Sequence, residues 1–298
     1  MSIVDRVVAA SLPLVPKPIV RKVAGPYIAG ESIDDLLRVS KKMNSEGYMV
    51  AAAILGEFVS RREESEAAVR EYQGLLKSLS EHQVDAYIHI KPTHLGLLLD
   101  REFCVQNVRA VLGFAKSRGQ FVRLDMEDSP CIDATLEVYD AVRGDFDNVG
   151  VVIQSRMRRS LADVRALARV KANVRVCKGI YLEPHAIAFT DPELIRRNFM
   201  VLLEELLAAG CYTAIATHDE QLVFESERLI ARAGVPKSAY EFQMLLGVLE
   251  PLRALIRGAG HRLRVAVPYG PHWYAYSVRR LRKNPAVAGY VLKAMLKG

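Results

Sequence analysis

The sequence predicts an α/β fold, a TIM-like (β/α)8 barrel preceded by an N-terminal helical arm. Short apolar runs rich in β-branched residues alternate with long, charged, amphipathic segments, the pattern of a parallel sheet with helical crossovers. About eight such units in roughly 250 residues suit a closed barrel better than an open sheet. No G-x-G-x-x-G follows any of the runs, which argues against a dinucleotide-binding fold.

The first stretch, "SIVDRVVAASLPLVPKPIVRKVAGPYIAG", reads as helical pieces broken by Pro13, Pro16, Pro18 and Pro26. It is expected to form a helical arm packed on the main body. Its Arg6, Lys17, Arg21 and Lys22, set beside apolar residues, also suit peripheral contact with an anionic membrane. "SIDDLLRVSKKMNSEG" is a capped amphipathic helix, with Ser32 followed by Asp35 and a glycine at its stop. The candidate strands then come in order: "YMVAAAILGE", "AYIHIKP", "FVRLDMED", "VGVVIQ", "VRVCKGIY", "YTAIATHD", "YEFQML" and "LRVAVPYG". Segments such as "EESEAAVREYQGLLKSLSEH" and "LIRRNFMVLLEELLAAG" supply the helices between them. The expected division is an arm over residues 1–45 and a catalytic barrel over 46–298, the latter ending in a helix that carries Arg279 and Arg280.

Composition narrows the function classes. The chain has 298 residues, half of them hydrophobic, enough for a substantial core rather than disorder. A formal charge of +7 suits anionic ligands or acidic membrane surfaces. No zinc-finger spacing, aromatic RNA-binding signature or lysine block is present, so nucleic acid is not an expected partner. Cys104, Cys131, Cys177 and Cys211 form no C-x-x-C pair, which makes a disulfide framework or structural zinc site unexpected and a reducing cytoplasm the natural compartment. The most apolar stretch, "MVAAAILGEFV", contains Glu57 and is too short to span a bilayer. Asp5 comes early and no cleavage site follows a hydrophobic run, so no secretory signal is expected.

Nearly every run ends in functional groups: Glu57, Lys91, Asp125 with Glu127 and Asp128, Gln154, Lys178 with Tyr181, Thr217-His218-Asp219, Gln243 and Tyr269. A barrel builds its active site at the C-terminal ends of its strands, so this is the pattern of a catalytic mouth. A metal hydrolase would need His-x-His on a strand, and "IHIKPTH" offers His89 and His94 out of register. A Schiff-base lyase without flavin would use Lys91 or Lys178. A cofactor barrel would hold a large ligand on the polar strand ends. Near the chain end, "HWYAYSVRRLRKNP" places Tyr276, Arg279 and Arg280 on one helical face, either as a solvated basic helix or as a carboxylate clamp.

The ordered series "IHIKPTHLG", "RLDMEDS", "VVIQ", "VRVCKGIYLEP", "ATHD", "YEFQMLLGV", "VPYG" and "YSVRRL" resembles the flavin-dependent proline dehydrogenase family, in its monofunctional bacterial form, from about Pro13 to about Pro285. The resemblance implies a barrel holding non-covalent FAD over its strand ends. Proline would lose a hydride from the ring carbon next to nitrogen to flavin N5, giving 1-pyrroline-5-carboxylate, and the electrons would pass to a membrane quinone. It further implies that Arg279, Arg280 and Lys91 grip the substrate carboxylate, that Tyr276 packs on the substrate ring and that Asp125 orients Arg280. Arg175, Lys178 and Gly179 would lie along the flavin, with Arg175 near N5. Gln154 and Gln243 would meet the flavin rim, and Thr217 and His218 the phosphate and adenosine. Tyr181 and Leu245 would line the substrate pocket.

The sequence departs from the family pattern at the mouth. Ala266 stands where a pocket tyrosine is expected, which would leave space for a hydroxyl or another ring substituent and admit a hydroxyproline-type substrate, with Tyr269 partly refilling the space. Lys283 replaces a glutamate after the second arginine, Ile180 replaces a smaller alanine beside the flavin, and "QSR" replaces the usual residues after Gln154.

Overall fold

The computed structural model of the protein describes Arg21, residues 25–274 and Ser277. Eight strands among the described residues, β1 (Met49–Ile54), β2 (Ala86–Ile90), β3 (Val122–Leu124), β4 (Val149–Gln154), β5 (Val174–Cys177), β6 (Thr213–Ala216), β7 (Tyr240–Leu245) and β8 (Leu263–Tyr269), close into a barrel in sequence order. Every neighbouring pair is parallel, including β8 with β1. All eight expected runs are strands. Helices α2 (Arg62–Glu81), α3 (Arg101–Lys116), α4 (Ile132–Arg143), α5 (Ser160–Arg169), α6 (Pro192–Ala208), α7 (Glu220–Ala233) and α8 (Glu250–Gly258) fill the seven crossovers. Helix α1 (Ile33–Ser45), which precedes the barrel, lies against β8 and β1.

Local chemistry sets where these helices begin. Ser32 caps α1, and Asp35 answers it in a reciprocal capping box. Asp100, Asp191 and Asp219 accept backbone N–H bonds at the starts of α3, α6 and α7, where the unsatisfied amides of a helix N-terminus need acceptors. Because each of these helices follows a strand, the three caps sit on the mouth face of the barrel.

Alternation along the strands divides two cores. Outward residues such as Ile88, Ile90, Val122, Leu124, Val174, Val176, Val265 and Val267 are fully buried under leucines of the helices, among them Leu75, Leu76 and Leu79 of α2. Burying each such side chain is worth about 1.5–3 kcal/mol. The inward set is polar. Tyr87 of β2 meets Gln243 of β7 across the lumen at 2.6 Å. Arg264 of β8 chelates Glu241 of β7 at 2.8 and 3.1 Å and stacks 4.1 Å from the centre of the Tyr87 ring. Arg123, fully buried, donates to the Asn173 side chain at 2.6 Å and to its carbonyl at 2.8 Å. The barrel interior is thus a hydrogen-bonded column rather than an aliphatic plug.

The same alternation corrects the expectation for Tyr269. Three residues beyond the inward Ala266, it points the other way, where burial raises its hydroxyl and Glu71 of α2 adds to the effect. It does not refill space beside Ala266.

Candidate active site

The C-terminal strand ends form an open mouth. Ala53, Lys91, Asp125, Cys177, Ala216, His218, Leu245 and Ala266, from seven different strands or the residues just after them, are all partly exposed, although inward positions deeper in the lumen are closed off. Strands β1 and β8 contribute small side chains to this end of the lumen, with Ala51 in register with Ala266 and Ala53 with Pro268, and Leu245 is the neighbour of Ala266 on β7.

On the opposite side lies a charged cluster. Asp125, just past β3, accepts from Arg175 Nη2 at 2.7 Å, and His89 Nδ1 lies 3.8 Å from the same oxygen. Burial pushes the Asp125 carboxyl up, but Arg175, His89 and Lys91 outweigh it and hold it below the usual carboxylate range. Arg175 also donates Nη1 to His89 Nε2 at 3.0 Å, and its Nε is buried with no hydrogen-bond partner. Lys91 lies 3.6 Å from Glu57 and donates to the Gly56 carbonyl at 3.5 Å. Asp125, with Arg175 and Lys91 as its cationic neighbours, is therefore shared between three strands. Arg280, the expected partner of Asp125, lies outside the described residues, as do Tyr276, Arg279 and Lys283.

Behind this cluster Glu127 is fully buried and receives the Thr93 hydroxyl at 2.6 Å and the Thr93 amide at 3.1 Å. Burial raises its carboxyl despite those bonds. The Glu127 carbonyl accepts from Gln154 Nε2 at 2.8 Å, which turns Gln154 Oε1 toward the end of β5. There Gly179 adopts φ 89°, and a Cβ on it would meet Gln154 Oε1 at 2.5 Å, so both conformation and space require glycine.

The loop after β5 carries the next expected residues. Ile180 is 64% exposed. Tyr181 is partly buried, and its carbonyl accepts from Arg156. Glu183 ties the loop to the start of the turn before α4, accepting from Ser129 N at 2.8 Å and Oγ at 2.6 Å. Lys178 lies 2.9 Å from Asp219, which Arg196 Nε also reaches at 2.7 Å. Thr217 Oγ1 accepts from the Asp219 amide at 3.1 Å, and His218 Nε2 accepts from the Leu245 amide at 2.8 Å.

Of the expected residues, Lys91, Asp125, Gln154, Arg175, Lys178, Gly179, Thr217, His218, Leu245 and Ala266 gather at the mouth. Gln243 sits a layer deeper, its amide nitrogen shared between Tyr87 and Glu241. His89 joins the charged cluster although its spacing from His94 gives it no role in the sequence. Its two-residue spacing from Lys91 was the usable signal, since in a strand that spacing gives one face.

A family profile described as proline dehydrogenase matches residues 36–293. The chain is 35% identical over 277 residues to proline dehydrogenase of Deinococcus radiodurans, covering 91% of this chain and 89% of that one. It is 34% identical over 271 residues to proline dehydrogenase 1 of Bacillus subtilis (strain 168), covering 91% and 90%. Among solved structures, proline utilization A (PutA) from Bdellovibrio bacteriovorus inactivated by N-propargylglycine superposes with a TM-score of 0.81 at 26% identity, over 87% of this chain and 32% of that one. The chain thus spans about a third of that larger protein's length.

Proposed function

The chain belongs to the proline dehydrogenase family, and from that premise we propose that it oxidises L-proline, or a ring-substituted proline, to the corresponding 1-pyrroline-5-carboxylate. FAD is the proposed cofactor and a membrane quinone the proposed acceptor. The observation that carries the reading is Arg175, a guanidinium held inside an open barrel mouth by Asp125 at 2.7 Å, with its Nε buried and unpartnered.

A flavin suits these residues. The partly exposed floor is broad, Gln154 Oε1 is oriented as an acceptor for a ring N–H, and Arg175 supplies positive charge where reduction creates negative charge. When bound, the flavin would take up the two electrons and the hydrogen released from the substrate ring carbon. Asp125 keeps Arg175 aimed. Lys178, Gly179 and Ile180 would flank the cofactor, Gln243 would support its rim from below, and Thr217 and His218 would lie near its phosphate and adenosine. Lys91, with Arg279 and Arg280, would bind the substrate carboxylate, for which paired guanidinium forks are well matched. Tyr276, Tyr181 and Leu245 would enclose the ring. The membrane contact of the basic N-terminal segment belongs to the same proposal. Among the described residues no helix is long and apolar enough to cross a membrane.

A substituted ring is favoured by a specific observation: Ala266 is partly exposed at the mouth and faces no large side chain on β1, where its register partner is Ala51. The imine reading fares worse, because Lys91 and Lys178 are both committed to carboxylates, whereas an imine-forming lysine needs an uncharged, desolvated amine.

The test is the visible absorbance of the purified protein, followed during anaerobic addition of L-proline and then of trans-4-hydroxy-L-proline. A flavin band that bleaches with either is the expected result, and stronger bleaching by hydroxyproline selects the substituted ring. Absence of a flavin band after incubation with FAD overturns the proposal.

A further inference from the structure

His89 is a buried histidine for which the reading above has no use. It lies on β2 two residues before Lys91, only 6% exposed, and is surrounded by groups from five other positions in the lumen. Arg175 of β5 reaches it with Nη1, 3.0 Å from Nε2 and 3.4 Å from Nδ1. Asp125 lies 3.8 Å from Nδ1, and the Tyr87 ring is tilted against it with centroids 5.4 Å apart. The charges of Arg123 and Arg264 also act on it.

These contacts have a consistent electrostatic logic. A guanidinium can donate to an imidazole only if a ring nitrogen keeps its lone pair, so the Nε2 contact requires neutral His89. Its proton then sits on Nδ1, on the side of Asp125. Protonation would remove the acceptor and place another cation among three arginines. Burial and those arginines oppose it, and they push the imidazole down to about 3 even though Asp125 pulls the other way.

We propose that His89 is a positioning residue: an uncharged acceptor that fixes one arm of the Arg175 fork while Asp125 fixes the other, so that the guanidinium keeps a single orientation under the reacting centre. A carboxylate in this place would cancel the positive charge of Arg175, and an aliphatic residue would take away the acceptor that Nη1 has at 3.0 Å. The imidazole satisfies the donor and leaves the charge in place. This role depends on the proposed flavin reading only for its effect on chemistry; the neutral tautomer and the bond to Arg175 do not.

The experiment has two arms. In flavin-free wild-type protein, the 15N resonances of the His89 imidazole, assigned by their loss in His89→Gln, are expected to show a neutral ring protonated on Nδ1, unchanged between about pH 5 and 8. A resonance that titrates in that range overturns the proposal whatever the cofactor. In the flavin-loaded enzyme, His89→Leu is expected to lower kcat by about tenfold or more with little change in KM. It should also weaken sulfite binding to the oxidised flavin by about tenfold, since that adduct is stabilised by a well-placed cation near the ring. His89→Gln, which keeps an uncharged acceptor near the position of Nε2, should recover most of both. Folded His89→Leu with wild-type sulfite affinity and kcat, or His89→Gln no better than His89→Leu, overturns it. If His89→Leu does not fold, the comparison of His89→Gln with wild type and the resonance arm decide. Failure of the wild-type protein to take up flavin would sink the proposed function and leave the resonance arm standing.

Discussion

Asp125 touches a guanidinium at 2.7 Å and faces an imidazole at 3.8 Å, so deleting its carboxylate strands a buried cation. Asp125→Ala is expected to cost about 3–5 kcal/mol in urea unfolding and about two to three orders of magnitude in kcat. Asp125→Asn, which keeps an oxygen for Arg175, should lose less stability. Gly179 is constrained twice over, by φ 89° and by Gln154 Oε1 at 2.5 Å from a built Cβ. Gly179→Ala should therefore cost about 1–3 kcal/mol of local strain and release flavin faster, read as flavin lost on dilution or gel filtration. At the mouth wall the expectation runs the other way: Ala266→Tyr should fold normally and lose activity on hydroxyproline by a larger factor than on proline. Equal losses on both substrates would remove Ala266 as the determinant of ring size.

At the scale of the element, β2 and the turn after it hold two histidines that fold into uncharged sites. His89 is pushed down to about 3 by burial and the neighbouring arginines, and His94 to about 4 by burial, Lys91 and His272. Both values lie below the ordinary 6.5, so the unfolded chain takes up protons first as the pH falls. The stability they permit is complete above about pH 6.5 and is lost progressively below it, down through pH 4 and 3. Between pH 7.5 and 5.5 the loss should be roughly 2–3 kcal/mol in urea, before most carboxylates titrate, and His89→Gln should remove about half of it. The strand itself was easy to read in "AYIHIKP", because Ile88 and Ile90 alternate with Tyr87, His89 and Lys91. What was not readable is which strands stand opposite each other across the lumen. Asp125 meets Arg175, and Tyr87 meets Gln243, only because an eight-strand circle brings β3 toward β5 and β2 toward β7. Sequence spacing within one strand carries no trace of that.

For the molecule as a whole, the alternation of runs and helices was sufficient for the barrel, and the concentration of polar groups at run ends was sufficient for its mouth. Tyr269 was misjudged because a strand end looks alike on both faces until its parity is counted from Ala266. The polar lumen was also hidden, since Glu241, Arg264 and Arg123 each look like an isolated charge in a strand until closure pairs or encloses them. Glu241 receives Arg264, Gln243 and Tyr212 together, so its acceptor capacity is filled, and its carboxyl lies below the usual range although burial alone would raise it. Glu241→Ala is expected to lower the urea midpoint by the equivalent of about 3–5 kcal/mol, with Glu241→Ala/Arg264→Met recovering part of that loss in a double-mutant cycle.

The closing seam has a temporal side. Strand β1 pairs along its whole length with β8, from Met49 beside Arg264 to Ile54 beside Tyr269, yet of the eight barrel strands these are the first and the last to leave the ribosome. At ordinary elongation rates β1 waits roughly 10–40 s for its partner, with backbone donors and acceptors along one edge unclaimed. Nascent chains are therefore vulnerable to strand-to-strand association until β8 has emerged. A stop codon placed after α8 should yield aggregate rather than a smaller soluble protein.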